Sequence, residues 1–133
     1  MSGHLTRYPP PLRQRFLSAA ASGSPSATTD LMQAFETAVA SGTHAAEGWP
    51  SAAYAVSKAG VIGVTRAMAR QEQGRGGKAL LNSCCPGYVR TDMTKGGGPK
   101  SVDEGAMTPV MLALADIGGV SGEFWQHERV IEW

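Results

Sequence analysis

Among its 133 residues the sequence has only two cysteines, three histidines and no apolar run near the roughly 20 residues that a membrane helix needs. The cysteines are neighbours, Cys84 and Cys85. Adjacent side chains on a strand point to opposite faces, so no disulfide is expected and the thiols read as reduced. His4, His44 and His127 lie far apart without ligand spacing, so no metal centre is expected. An excess of one charge sign is missing too: 12 Lys and Arg face 11 Asp and Glu, a net charge of +1. That balance gives no reason to expect nucleic acid or an anionic membrane surface as partner. Met1-Ser2-Gly3-His4-Leu5 lacks the charged and apolar blocks of a secretory signal, so the cytoplasm is the expected compartment. The 42% apolar content is enough for one modest globular core.

Glycine and proline are what the chain has in quantity, and they divide it. Pro9-Pro10-Pro11 forces extended geometry, residues 12–21 have helical composition, and Ser22-Gly23-Ser24-Pro25-Ser26 stops them. Thr29 or Asp30 can cap a second helix over residues 31–40, with Leu31, Phe35 and Val39 as its apolar stripe. Ser41-Gly42 closes it, and Glu47-Gly48-Trp49-Pro50 makes a turn. The segment up to about Pro50 reads as a surface excursion packed by Phe35 and Trp49.

The longest helical pattern runs from Ser51 or Tyr54 to about Gln73, with Val56, Ala59, Gly60, Ile62, Gly63, Val64, Ala67 and Met68 on its apolar side. Gly60 and Gly63 lower helix propensity, so close approach of another backbone or of a ligand is their expected compensation. Gly74-Arg75-Gly76-Gly77 ends the helix, and residues 78–85 form an apolar run of strand length. Helix, tight turn and buried strand make half of a βαβ unit, which predicts an α/β fold with a parallel sheet. Pro86-Gly87 breaks the strand, and residues 94–100 are a glycine-rich loop whose Gly96-Gly97-Gly98 triplet reads as mobile rather than as an anion cradle. Ser101 or Asp103 caps a further helix to about Ala115 that must accommodate Pro109. Residues 121–133 alternate Phe124, Gln126, Glu128, Val130 and Glu132 against Trp125, His127, Arg129, Ile131 and Trp133, the pattern of a final edge strand.

Tyr54 and Lys58 are four residues apart, which on a helix puts a phenol and an ammonium on one face. A phenol with a pKa near ~10 is a poor acid or base at neutral pH, and a neighbouring ammonium favours its ionised form. Such a pair suits proton transfer to or from an alcohol or carbonyl oxygen, with hydride exchange left to a cofactor. The same spacing also occurs on helices with no chemistry at all. Behind it, residues 80–93 form an apolar strand that ends in Pro86-Gly87 and leads to Thr91. Ligands of open α/β sheets bind beyond the carboxyl ends of strands, so this loop stands where a nicotinamide can lie. Blander readings stay open here: Cys84 as a small buried apolar residue, Thr91 and Asp92 as caps of a turn. Gly74 to Lys78 is no phosphate loop, because it follows a helix and precedes a strand.

With these motifs in order, the chain resembles the C-terminal part of the short-chain dehydrogenase/reductase family, whose YxxxK helix is followed by a strand and a PGxxxT loop. Within that family it is most similar to the NADPH-dependent carbonyl reductases. The similarity lies in Glu47-Gly48-Trp49-Pro50, residues 80–93, Glu104-Gly105-Ala106, Thr108-Pro109-Val110 and Arg129-Val130-Ile131-Glu132-Trp133. It implies the C-terminal half of a Rossmann-like, doubly wound parallel sheet whose N-terminal dinucleotide-binding half is missing. Residues 1–50 would be a lead with a helical extension and residues 51–133 the catalytic part. By resemblance, Tyr54 donates the proton to a small-molecule carbonyl substrate, and Lys58 holds the nicotinamide ribose. Pro86, Gly87, Val89, Arg90 and Thr91 line the NADPH (NADP), and Ala55, Cys84, Tyr88 and Met93 border the substrate. Tyr88 stands where such reductases usually carry Trp. The extension implies a monomer when full length, because in monomeric carbonyl reductases it covers the helices that other members use to associate.

The family's TGxxxGxG turn and NNAG stretch have no counterpart here, and a dinucleotide site needs such a turn to set the pyrophosphate on a helix N-terminus. The family's catalytic Ser would fall upstream of Met1, and Ser2 matches a later position of that loop. Two functional readings follow: a carbonyl-reductase-like oxidoreductase seen as a truncated chain, or a non-catalytic remnant acting, if at all, as an interaction protein. On either reading the 133-residue chain alone is expected to bind NADPH weakly and to show little reductase activity. Titration followed by cofactor fluorescence checks this, and tight saturable binding would overturn it.

Overall fold

Proline opens two of the four α-helices among the described residues. Its missing N–H is no loss at the first helical position and its fixed φ is preorganised for the helix. Accordingly α1 (Pro10–Ala21) starts within the proline triplet and α2 (Pro25–Ala40) starts at Pro25. In the computed structural model, which describes residues 3–133, these are followed by α3 (Ala53–Gly74), β1 (Ser83–Cys84), α4 (Val102–Leu114), β2 (Phe124–Gln126) and β3 (Arg129–Ile131). Helix α2 thus begins one and a half turns earlier than the Thr29 or Asp30 cap implied, because Pro25 initiates it. Its buried face is Leu31, Phe35 and Ala38, while Val39 is 48% exposed, so the core stripe steps by three rather than four at its end. Ser101 is the cap of α4: its hydroxyl accepts from the Glu104 amide, and the Glu104 carboxylate accepts from the Ser101 amide.

Residues 5–49 are not a surface excursion. Leu5, Tyr8, Leu12, Phe16, Leu31, Phe35 and Trp49 join Val56, Ala59, Ile62, Phe124 and Trp133 in a single core. Phe16 is its centre, edge-on to Tyr8 at 5.3 Å, Trp49 at 6.1 Å and Trp133 at 6.0 Å between centroids. Helix α3 packs against both α1 and α2, and its glycines have the expected compensation, supplied by side chains. A Cβ at Gly60 would overlap the Met32 thioether, and one at Gly63 would lie 2.8 Å from a Thr28 methyl and 3.2 Å from the Trp133 ring.

The described strands form a mixed sheet in the order β1-β2-β3, rather than the wholly parallel sheet expected. β1 and β2 are parallel, joined through α4, whereas β2 and β3 are antiparallel. The tail is therefore a hairpin and not one edge strand: His127 and Glu128, with φ of 52° and 59°, form a two-residue left-handed turn that reverses the chain. Strand β1 is also shorter than the apolar run at residues 78–85, and half-buried. Only one neighbour pairs with it among the described residues, and Leu80 stays exposed. Leu81 and Asn82 follow β2 without a regular ladder, through Gly122 N–H to Leu81 O at 2.7 Å and Asn82 Nδ2 to Val120 O at 2.8 Å. No described helix is long and apolar enough to cross a membrane.

Phe16→Ala should cost about 3–5 kcal/mol, since it empties the centre of the aromatic cluster, whereas Val39→Ala should cost under about 1 kcal/mol. Urea denaturation midpoints of the two variants check the contrast, and equal losses would contradict the assignment of the core.

Candidate active site

Helix α3 presents Tyr54 and Lys58 on its solvent side in its first two turns. The Tyr54 ring is 63% exposed, and Lys58 Nζ lies 5.2 Å from its centroid, within cation–π range. Among the described residues neither the Tyr54 hydroxyl nor the Lys58 ammonium has a hydrogen-bonded partner, so both keep their polar atoms for something outside the fold. Ser57 is spent locally, donating to the Tyr54 carbonyl at 2.8 Å. Ala55, one residue on, is half-buried.

The sheet is oriented toward this end of the helix. Arg66, three turns beyond Tyr54, donates to the Gly122 carbonyl and pairs with Glu123, both at 2.8 Å, and Gly122 packs on Ala69. The start of β2 therefore lies beside the later half of α3. Phe124 of β2 then meets His4, 5.4 Å between ring centroids, next to Gly3, which abuts Lys58, so β2 runs toward the Tyr54 end; β1 is parallel to it, and the loop after β1 leaves on the same side. Gly3 fits the same picture: a Cβ there would sit 3.1 Å from Lys58 backbone, and its carbonyl accepts from Trp133 Nε1 at 2.9 Å. Ser2 lies outside the described residues.

The loop beyond β1 gathers the other sequence-derived candidates. Cys84 is half-buried on β1, and burial, reinforced by the Cys85 charge, pushes its thiol pKa up, which makes it a poor nucleophile. Pro86 is exposed, and Gly87 has a φ of +87°, a conformation that favours glycine. Tyr88 is exposed and lays its hydroxyl over Gly97, where a Cβ would meet it at 2.7 Å. Met93 is 90% exposed. Val89 and Thr91 are half-buried, Arg90 exposed. No hydrogen bond or ion pair among the described residues links this loop to Tyr54 or Lys58; what brings the groups to one side is the orientation of the sheet.

Three residues that the sequence reading did not single out give the loop its shape. Thr94 lies inside it: its hydroxyl oxygen accepts from the Thr91 amide at 2.9 Å and is 2.8–3.0 Å from the carbonyls of Val89, Thr91 and Gly97. The glycine-rich stretch read as mobile is thus braced from within. Lys100 runs alongside, with Arg90 N–H donating to its carbonyl at 2.9 Å. Gly105 of α4 leaves room for Val89, whose methyl carbon would be 2.5 Å from a Cβ there. The signal for Gly105 was present, a glycine inside a capped helix, and such a glycine implies a close neighbour.

The free donors suit one end of a dinucleotide. Lys58 Nζ, the Thr91 hydroxyl and the Val89 amide, which has no acceptor among the described residues, can meet ribose hydroxyls and a carboxamide. Nothing described has the strand, glycine turn and helix that hold a pyrophosphate.

Comparison with known proteins points to one family. The short chain dehydrogenase family model matches residues 37–101. The chain is 50% identical over 107 residues to carbonyl reductase 1 (NADPH) of Mus musculus, covering 77% of this chain and 39% of the mouse protein. To the Homo sapiens enzyme of that name it is 45% identical over 128 residues, covering 93% of this chain and 46% of the relative. Among solved structures, salutaridine reductase from Papaver somniferum aligns with a TM-score of 0.79 at 28% identity, covering 93% of this chain and 42% of that one. The chain spans less than half the length of these relatives. The chain belongs to the short-chain dehydrogenase/reductase family.

The contact between Gly105 and Val89 yields a contrast. Gly105→Ala meets a stiff β-branched side chain, so overpacking of about 1–3 kcal/mol should outweigh the ~1 kcal/mol gain in helix propensity. Gly60→Ala meets a flexible methionine that can rotate away, and should be tolerated better. Chemical denaturation of the pair decides it; a stabilised Gly105→Ala would contradict the packing.

Proposed function

We propose that this chain is the catalytic part of an NADPH-dependent carbonyl reductase, reducing a small-molecule carbonyl compound. The observation that carries the reading is the Tyr54–Lys58 pair, exposed on one face of α3 at the end toward which the loop after β1 points. NADPH appears in the names of the carbonyl reductase relatives, and residues 1–133 are read as part of one such domain, with residues 1–50 as its helical extension.

Tyr54 gives its phenolic proton to the substrate oxygen as negative charge develops there. The Lys58 ammonium, 5.2 Å from the ring centroid, offsets the charge left on the phenol and has donors left over for ribose hydroxyls. Val89, Arg90 and Thr91 face the carboxamide end through main chain and hydroxyl, with Pro86 and Gly87 setting the course of the loop. Ala55, Cys84, Tyr88 and Met93 border the substrate, the thiol of Cys84 acting there as a neutral wall. When bound, NADPH supplies the hydride. The packing of α1 and α2 against α3 supports a monomeric complete enzyme, since it covers part of that helix.

A second reading, a non-catalytic piece that associates with another protein, is favoured by one observation: Val102, Met107, Val110 and Leu114 of α4 are all exposed, Leu114 by 82%. The two are separated by a chimera that joins the N-terminal half of the Mus musculus relative to this chain. Tyr54→Phe in that chimera should lower kcat by at least about a hundredfold with little change in NADPH affinity. Retained turnover would rule out Tyr54 as the acid, and light scattering that shows a stable dimer would count against the monomer.

A further inference from the structure

We propose that Lys100 is a positioning residue for the 86–91 loop, fixing where that loop presents the Val89 amide and the Thr91 hydroxyl. The inference rests on the reading of this loop as the nicotinamide side of the site. Lys100 meets the loop with its backbone and its side chain together. Its carbonyl accepts from Arg90 N–H at 2.9 Å and its amide donates to the Tyr88 carbonyl at 3.4 Å, a parallel bridge centred on Val89. Its ammonium then turns back to donate to the Pro86 carbonyl at 3.3 Å. The aliphatic stem crosses Gly87, where a Cβ would lie 3.2 Å from Cδ and Cε, a tight contact at a left-handed position that favours glycine in any case. Five of the loop's six residues, Pro86 to Arg90, are thereby held against one lysine.

The lysine is itself fixed at both ends. The residue after it is Ser101, whose amide donates to the Glu104 carboxylate at 2.7 Å in the capping box of α4. Its ammonium also lies 3.3 Å from His127 Nδ1. An ammonium has donors only, so in this contact Nδ1 is the accepting atom. His127 belongs to the turn between β2 and β3, and the Glu128 amide beside it donates to Thr108 Oγ1 of α4 at 3.2 Å. Lys100 thus ties the loop to the start of α4 and to the hairpin, and the hairpin is itself joined to the middle of α4 at Thr108.

The test uses the 133-residue chain. Lys100→Met keeps the stem over Gly87 and removes the ammonium; Lys100→Arg restores a donor. In the Met variant, amide hydrogen exchange followed by NMR should accelerate about tenfold at Arg90 and Lys100's own position while α3 amides hold, and the His127 Nδ1 resonance should move. In the Arg variant Arg90 should return to within about threefold of the wild-type rate. Unchanged exchange at Arg90 in the Met variant overturns the proposal. So does equal acceleration throughout α3, which would make Lys100 a general stabiliser. Neither readout needs NADPH or turnover, so failure here and failure of the oxidoreductase reading are distinguishable.

Discussion

Burial of Trp133 is the contact on which the rest of the structure depends. Its side chain is 2% exposed, bonded to the Gly3 carbonyl at 2.9 Å, edge-on to Phe16 of α1, under the Arg66 guanidinium at 5.5 Å, and against the bare backbone of Gly63. One indole therefore holds residues 130 positions apart in sequence beside α1 and α3. Because Arg66 also binds Gly122 and Glu123, the same cluster sets the start of β2, and through its parallel partner the direction of β1. The placement of the loop on the Tyr54 side is a consequence of that chain of contacts.

Much of this was legible from local chemistry. Helix α3 was readable because its apolar and small residues recur at helical spacing over more than five turns, and the Tyr54–Lys58 pair came with it. The cap at Ser101 was readable because Glu104 stands three residues on. The role of residues 5–49 was not. Aromatic residues separated by long stretches, such as Phe16, Phe35 and Trp49, carry no local sign that they will meet in one core. The strand run at residues 78–85 misled for a related reason. Apolar content announces a strand, but only a paired neighbour makes one, and β1 pairs where β2 reaches it.

The candidate site divides in the same way. Its residue types could be read from motifs, while most of its support could not, because the Thr94 hydroxyl and the Lys100 side chain meet backbone carbonyls whose positions no local pattern announces. A glycine before a bulky neighbour and a threonine hydroxyl set among three carbonyls are consequences of the loop's path, and that path follows from α4.

The left-handed turn at His127 and Glu128 shows where local preference yields. Turns of this kind favour asparagine and glycine, and an L-residue with a side chain gives up roughly 1–2 kcal/mol at each such position. The strain is sustained by surrounding bonds, those of Glu128 to Thr108 and of His127 to Lys100. The hairpin therefore holds a reserve of stability that the present sequence leaves unused, and the residue standing in the way of the relaxed choice is the imidazole that reaches the lysine.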